Sequence, residues 1–201
     1  MRLGAVVLAA GRSRRMGAEK VLLPFGDSTL LGTVLSSLST VASADAGAVA
    51  IAVVIRPDLP SAASIAVAAG ATICVHDEPE MMSSIRLGLE TLPASLDAVF
   101  IWPADHPAVS AATVRLLASS ADPGRARIPT WRGRRGHPAL LGSELRADAI
   151  ACPDAGGLRE LWRLRADAVR EVAVEDPGVV ANSDTPEEYE AALRIWEAAK
   201  S

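Results

Sequence analysis

The chain has 201 residues, 24 of them acidic and 20 basic, for a net charge of −4 with neutral histidines. That balance argues against general nucleic-acid or membrane-surface binding, which call for a basic face. Two cysteines, Cys74 and Cys152, are too few for a disulfide framework, and half of the residues are hydrophobic, enough for one α/β domain, although only 3% are aromatic, so small aliphatics must fill the core.

In chain order, an apolar run over 3–10 ends at Gly11 and reads as a buried strand. It starts directly after Met1 and Arg2, with no signal-peptide layout. Arg12, Arg14, Arg15, Gly17 and Lys20 follow. Such a glycine-containing basic segment is either a phosphate cradle or a solvated loop. There is no G-x-G-x-x-G, and Gly11 and Gly17 are one residue too far apart for a P-loop. Leu30, Leu31, Val34, Leu35 and Leu38 have helical spacing within 28–40. A strand is predicted over 48–55, a small Ala-rich helix over 61–69 and a strand over 71–75.

A helix over 83–92 follows, with Ser83 and Ser84 as its caps. Residues 98–102 form the next strand, and Ser110 caps a helix through Ser119. Strand, crossover helix, strand is the rhythm of a parallel sheet covered on both faces, with ligands gathering at the carboxyl ends of the strands. After Arg125 the pattern changes. Two strands, 126–131 and 136–141, flank a basic turn over 132–135, an antiparallel or mixed part of the sheet. Helices over 143–151 and 157–164 and a strand over 169–174 come next. Thr185-Pro186-Glu187-Glu188 then opens the last helix with a capping box. No apolar stretch is long enough to span a bilayer. A soluble cytoplasmic protein with no nucleic-acid or membrane partner is expected.

Four groups of residues can carry chemistry. Asp105 stands just past a buried strand between Pro103 and Pro107, either as a turn former or as one of the few carboxylates that hold Mg²⁺ beside substrate phosphates. Asp184 lies at the entrance of the last helix and can help to cap it. Asn182, two residues earlier, has an amide oxygen able to ligate a hard cation. Ser83 and Ser84 begin a helix whose N–H groups either face a ligand or only start the helix. Arg134, Arg135 and His137 suit an anionic ligand, or form a basic turn with a structural histidine. No Cys/His set has zinc spacing, and no Ser/His/Asp triad is indicated.

The motifs add to this. Leu8-Ala9-Ala10-Gly11, Ser13, Arg15-Met16-Gly17, Lys20 and Leu22-Leu23-Pro24 resemble the signature of the MobA-like nucleotidyltransferases. Ala104-Asp105-His106-Pro107 is similar to that family's Gly-Asp-x-Pro, whose Asp binds the metal. Met82-Ser83 with Arg86, Gly136-His137-Pro138, and Asp184-Thr185-Pro186 follow in the family's order. The resemblance spans 6–193 and is closest to the molybdenum cofactor cytidylyltransferases.

It implies a single nucleotidyltransferase domain over 1–201. The implied fold is α/β, a three-layer αβα Rossmann-like nucleotidyltransferase fold with a mostly parallel mixed sheet and an antiparallel strand. The implied reaction is Mg²⁺-dependent transfer of CMP from CTP to the phosphate of molybdopterin-bound molybdenum. Lys20, Arg15 and Asp105 would be catalytic. Leu8, Ala9, Ala10, Gly11, Arg12, Ser13, Gly17, Lys20, Ser83 and Ser84 would bind the nucleotide, and Asp105 and Asp184 the metal. His137, Arg135 and Asn182 would bind the acceptor, and a molybdoenzyme would be the client. Two details matter. The guanylyl branch tends to carry Gly where this chain has Ala10, and Ala104 replaces the family's Gly, which would narrow the room beside the phosphates. Other phosphorylated acceptors, GTP as donor, and a non-catalytic cofactor carrier remain open. The missing glycine fingerprint weighs against a dinucleotide-binding redox domain.

Overall fold

The computed structural model describes residues 1–11, 19–41, 48–77 and 80–200. In chain order the elements are β1 (Leu3–Leu8), short strands β2 (Pro24–Phe25) and β3 (Ser28–Thr29), α1 (Leu30–Ser39), β4 (Ala50–Ile55), α2 (Pro60–Ala68), β5 (Thr72–Val75) and α3 (Met81–Thr91). They continue with β6 (Ala98–Pro103), α4 (Ala111–Ser119), β7 (Ala126–Trp131), β8 (Arg134–Arg135), β9 (Ala139–Gly142), α5 (Arg146–Ala151), α6 (Leu158–Leu164), β10 (Val169–Ala173) and α7 (Pro186–Ala198). Short 3-10 turns cover Lys20–Leu22, Ser143–Leu145 and Pro177–Val180.

Among the described residues the main sheet runs β10-β7-β9-β6-β1-β4-β5, with β8 on β7. β1 is central and parallel to both β4 and β6. The crossover after β1 leads to β4 on one side; the crossover after β5 returns to β6 on the other. The carboxyl ends of β1 and β6, aligned at Leu8 and Pro103, therefore flank the crevice where such sheets bind ligands.

β1 is an unbroken apolar run because both of its faces are covered. Ala5 and Val7 join α1, α2 and α4 side chains such as Leu35, Ala62 and Leu117 on one face. Val6 joins Ile85 and Leu89 of α3 and Leu161 of α6 on the other. This is a three-layer αβα fold. Cys74 belongs to the second core. No helix among the described residues is long and apolar enough to cross a membrane.

Three local readings change. The return strand after β7 is broken rather than continuous. A two-residue turn with positive φ at Arg132 (49°) and Gly133 (75°) leads into β8, as tight hairpins require. The chain then leaves the ladder at 136–138, where the peptide before Pro138 is cis, and resumes as β9 between β6 and β7. Second, α3 begins at Met81, so Ser83 and Ser84 lie inside its first turn, not at its cap. Third, the hairpin β2–β3, not foreseen from periodicity, packs Phe25 edge-on against Tyr189 and Trp196 of α7. Cys152 ends α5 and is buried.

Candidate active site

Asp105 owes its position to the end of β6. Ala104 N–H donates to the Leu8 carbonyl at 3.0 Å, extending the β1–β6 ladder by one step. The indole of Trp102, fully buried, donates to the His106 carbonyl at 3.1 Å and pins the turn. The Ala104 methyl is buried in the α1/α2/α4 core. The extra carbon is thus taken up by the core rather than by the space beside the carboxylate.

A second segment, 176–188, is fastened against this turn. The buried Asp176 carboxylate accepts from Ser110 N–H at 2.9 Å, the Thr113 hydroxyl at 2.7 Å and Gly178 N–H at 2.9 Å. A side-chain carbon on Gly178 would lie 2.2 Å from the Ala108 carbonyl oxygen, so only glycine allows this approach. The segment ends in a capping box. Thr185 accepts from Glu188 N–H, while Glu188 Oε2 accepts from Thr185 N–H at 3.0 Å and Asp184 N–H at 3.1 Å. Asn182 Nδ2 donates to Asp184 Oδ2 at 3.1 Å.

These two segments bring Asp105 and Asp184 onto one ammonium. Lys20 Nζ lies 3.0 Å from Asp105 Oδ2 and 2.7 Å from Asp184 Oδ1. The Lys20 side chain is only 10% exposed, against 24% for Asp105 and 34% for Asp184. Burial works against the ammonium, but the two carboxylates outweigh it and hold the Lys20 pKa above its ordinary value. Burial also works against the Asp105 charge. The hydrogen bond and charge of His106, then those of Lys20, reverse that and keep the carboxyl well below the usual range. Two carboxylates already converging on a cation are a hard-oxygen set that fits Mg²⁺ or a similar ion. No group of three or more His, Cys, Asp or Glu among the described residues forms a complete metal cage. Substrate oxygens and water would have to fill the remaining positions, as is usual for Mg²⁺ with nucleotides.

His106 Nδ1 is 2.7 Å from Asp105 Oδ1, and its ring meets the His137 ring edge-on at 4.6 Å. His137 is held by backbone: its N–H donates to the Val179 carbonyl at 2.7 Å, and Gly136 N–H to Pro129 at 2.8 Å. Burial, with a smaller contribution from the His106 charge and against the pull of Asp105, lowers the His137 pKa to about 4. His137 is therefore neutral at pH 7, and its Nδ1 has no hydrogen-bond partner among the described residues. His137 also lines a cavity of about 740 Å³ with Arg135, Met81, Arg159 and Trp162. This is large enough for a heteroaromatic ligand.

The residues singled out from sequence fall into three groups. Lys20, Asp105, Asp184 and Asn182 come together, and His137 reaches them through His106. Leu8 to Gly11 lie at the end of β1 beside this group, with Ala9 N–H donating to the Val54 carbonyl at 2.8 Å. Arg135 faces the cavity but is paired with Glu171 at 2.8 Å. Asn182, expected beside the acceptor, bonds Asp184 and is not among the residues lining the cavity. Ser83 and Ser84 are buried, and the Ser83 hydroxyl donates to the Glu80 carbonyl at 2.7 Å and meets His76 Nε2 at 2.9 Å. Arg12, Ser13, Arg15 and Gly17 lie outside the described residues. Sequence reading gave His106 no role and missed Arg159 and Trp162, which look like ordinary surface positions of a short helix until α6 is seen to wall the cavity.

Comparison with known proteins follows the same lines. The family model described as MobA-like NTP transferase domain matches residues 5–172. A molybdenum cofactor guanylyltransferase from Rhodobacter capsulatus is 28% identical over 195 residues, covering 94% of this chain and 93% of the relative. Among solved structures, Rv0371c from Mycobacterium tuberculosis superposes with a TM-score of 0.83 at 24% identity, over 96% of this chain and 99% of that one. The same protein in complex with manganese gives a TM-score of 0.76 at 22% identity, over 96% and 99%. At these identities the structural matches speak for the fold.

Proposed function

The chain belongs to the MobA-like NTP transferase family, and from that premise we propose that it transfers CMP from CTP to the phosphate of a molybdopterin-type molybdenum cofactor, releasing pyrophosphate. The observation that carries this reading is the meeting of Lys20, Asp105 and Asp184 at the carboxyl ends of β1 and β6.

The acceptor is a phosphate monoester, already anionic at neutral pH, so no strong base is needed. Its oxygen attacks the α-phosphorus in line, the bond to the bridging β-oxygen breaks, and pyrophosphate leaves with that electron pair. The demand on the protein is alignment and charge neutralisation. Asp105 and Asp184 would hold Mg²⁺, whose charge neutralises triphosphate oxygens. Lys20 exchanges its two carboxylates for the triphosphate and meets the charge growing on the departing pyrophosphate, with Arg12 and Arg15 as further cations of the same segment. Asn182 keeps the Asp184 carboxylate oriented, and His106 does the same for Asp105. Neutral His137 offers a polar atom to the acceptor in the cavity, whose Arg135 and Arg159 attract its negative charge.

A guanylyl donor is the second reading, favoured by the Rhodobacter capsulatus relative, whose name is a guanylyltransferase. Ala10 favours CTP, since its methyl packs against the α3-side core at the strand end where the base approaches. Pyrophosphate release measured with CTP, GTP, ATP and UTP, each with Mg²⁺ and a molybdopterin-type acceptor, tests both. Release with CTP alone supports the first reading, release with GTP the second, and release with neither removes both.

A further inference from the structure

Arg56 follows β4 directly and is only 6% exposed. Its guanidinium Nη1 donates to the Gly11 carbonyl at 2.9 Å, and Nη2 donates to Glu19 Oε1 at 2.9 Å. Nε donates to Asp58 Oδ1 at 2.9 Å, so the fork itself is fixed from its own loop. Gly11 is the last described residue before 12–18, and Glu19 is the first after it. One rigid planar group therefore joins the Gly11 carbonyl to the Glu19 carboxylate, and the second flank is the residue next to Lys20. A lysine could not reproduce this, because it presents a point charge rather than a fork.

The chemistry proposed above uses Arg56 nowhere, and Arg56 is not among the residues lining the acceptor cavity. An arginine needed only for the β4–α2 turn would be satisfied by Asp58. Two of its three partners instead belong to the flanks of the segment that ends at Lys20. We propose that Arg56 is a positioning residue: by tying Glu19 to Gly11 it sets the reach of the Lys20 ammonium onto the triphosphate. This rests on the nucleotidyl-transfer reading and adds the side chain that gives its main cation a defined place.

The test is calorimetric binding of magnesium tripolyphosphate, a probe without a base, to the full chain. Wild type, Arg56→Gln, Lys20→Ala and the double variant complete a cycle. Arg56→Gln should weaken binding about tenfold in the presence of Lys20 and have almost no further effect in its absence. Arg56→Lys should bind as weakly as Arg56→Gln, because the charge alone does not restore the fork. Binding by Arg56→Gln equal to wild type, or a loss that adds in full to that of Lys20→Ala, would overturn the proposal. Should Arg56→Gln fail to melt cooperatively, Glu19→Ala takes its place in the cycle. It removes one arm of the clamp at a side chain 43% exposed, and the same non-additivity is expected. A wild-type chain that ignores tripolyphosphate would remove the transfer reading itself and this role with it. Loss confined to the Arg56 comparison leaves that reading intact.

Discussion

Asp105 and Asp184 reach the same atom: Lys20 Nζ donates to both, at 3.0 and 2.7 Å. On the proposed reading, Lys20 and a divalent ion would compete for these oxygens until a triphosphate draws the ammonium away. Lys20→Met should bind Mn²⁺ more tightly than wild type in the absence of nucleotide, while losing about 10²–10³ in kcat, as removal of one preorganised electrostatic contact does. Unchanged metal affinity in a metal titration would separate Lys20 from the metal-binding oxygens. Turnover near wild type would take away its catalytic role.

Gly136 and Val179 are the contact that sets His137 against the Asp184 segment. A side-chain carbon on Gly136 would lie 2.2 Å from the Val179 carbonyl oxygen, which is backbone and cannot swing aside. Gly136→Ala should cost about 1–3 kcal/mol, as overpacking of a tight interior does, and lower Tm by roughly 2–12 °C for a chain of this size. Melting curves beside steady-state assays check it. A wild-type Tm would mean that 136 and 179 are not in this contact.

Asp176 fastens the same segment from the other side, with three hydrogen bonds to a buried carboxylate. Hydrogen bonds to a charged group contribute about 1.5–3 kcal/mol each, and losing all three leaves donors unsatisfied. Asp176→Ala should therefore destabilise the chain by roughly 3–5 kcal/mol, at the upper end of single substitutions. Asp176→Asn, which keeps one acceptor oxygen, should cost less. Denaturant unfolding distinguishes the two, and equal stabilities would contradict the account.

His137 makes stability depend on pH. Its folded pKa of about 4 lies below the ordinary histidine value of 6.5, so below 6.5 the unfolded chain binds a proton that the folded chain refuses. The stability it contributes is complete above that value and is lost as pH falls toward 4. The groups facing it are His106 and, beyond that ring, Asp105. In metal-free buffer, His137→Phe should show a flatter dependence of Tm on pH between 6.5 and 4 than wild type. Parallel curves would show that His137 does not titrate in this way.

The alternation of elements was legible because each strand or helix carries its own hydrophobic period. Thr185 and Glu188 announced the last helix, and Ser110 announced α4. What the sequence hid depends on distant partners. Nothing local shows that the chain leaves the ladder after Gly136, where His137 N–H turns to the distant Val179 carbonyl. Ser83 looks like a cap because serine usually is one, yet α3 starts two residues earlier and its hydroxyl is turned to Glu80. Within the site, Lys20, Asp105 and Asp184 stood out through motif resemblance. Arg56, Trp162 and Arg159 did not, because their meaning arises only when β4 ends beside β1 and α6 covers the cavity.

The central claim is that Asp105 and Asp184 together hold the metal of a metal–triphosphate complex. Electron paramagnetic resonance of Mn²⁺ titrated into the chain with CTP or GTP tests this most directly, using wild type, Asp105→Asn and Asp184→Asn. The account predicts that nucleotide-dependent Mn²⁺ binding is present in wild type and weakened at least about tenfold in each variant, equivalent to 1.4 kcal/mol, with folding retained. Undiminished binding in either variant would contradict it.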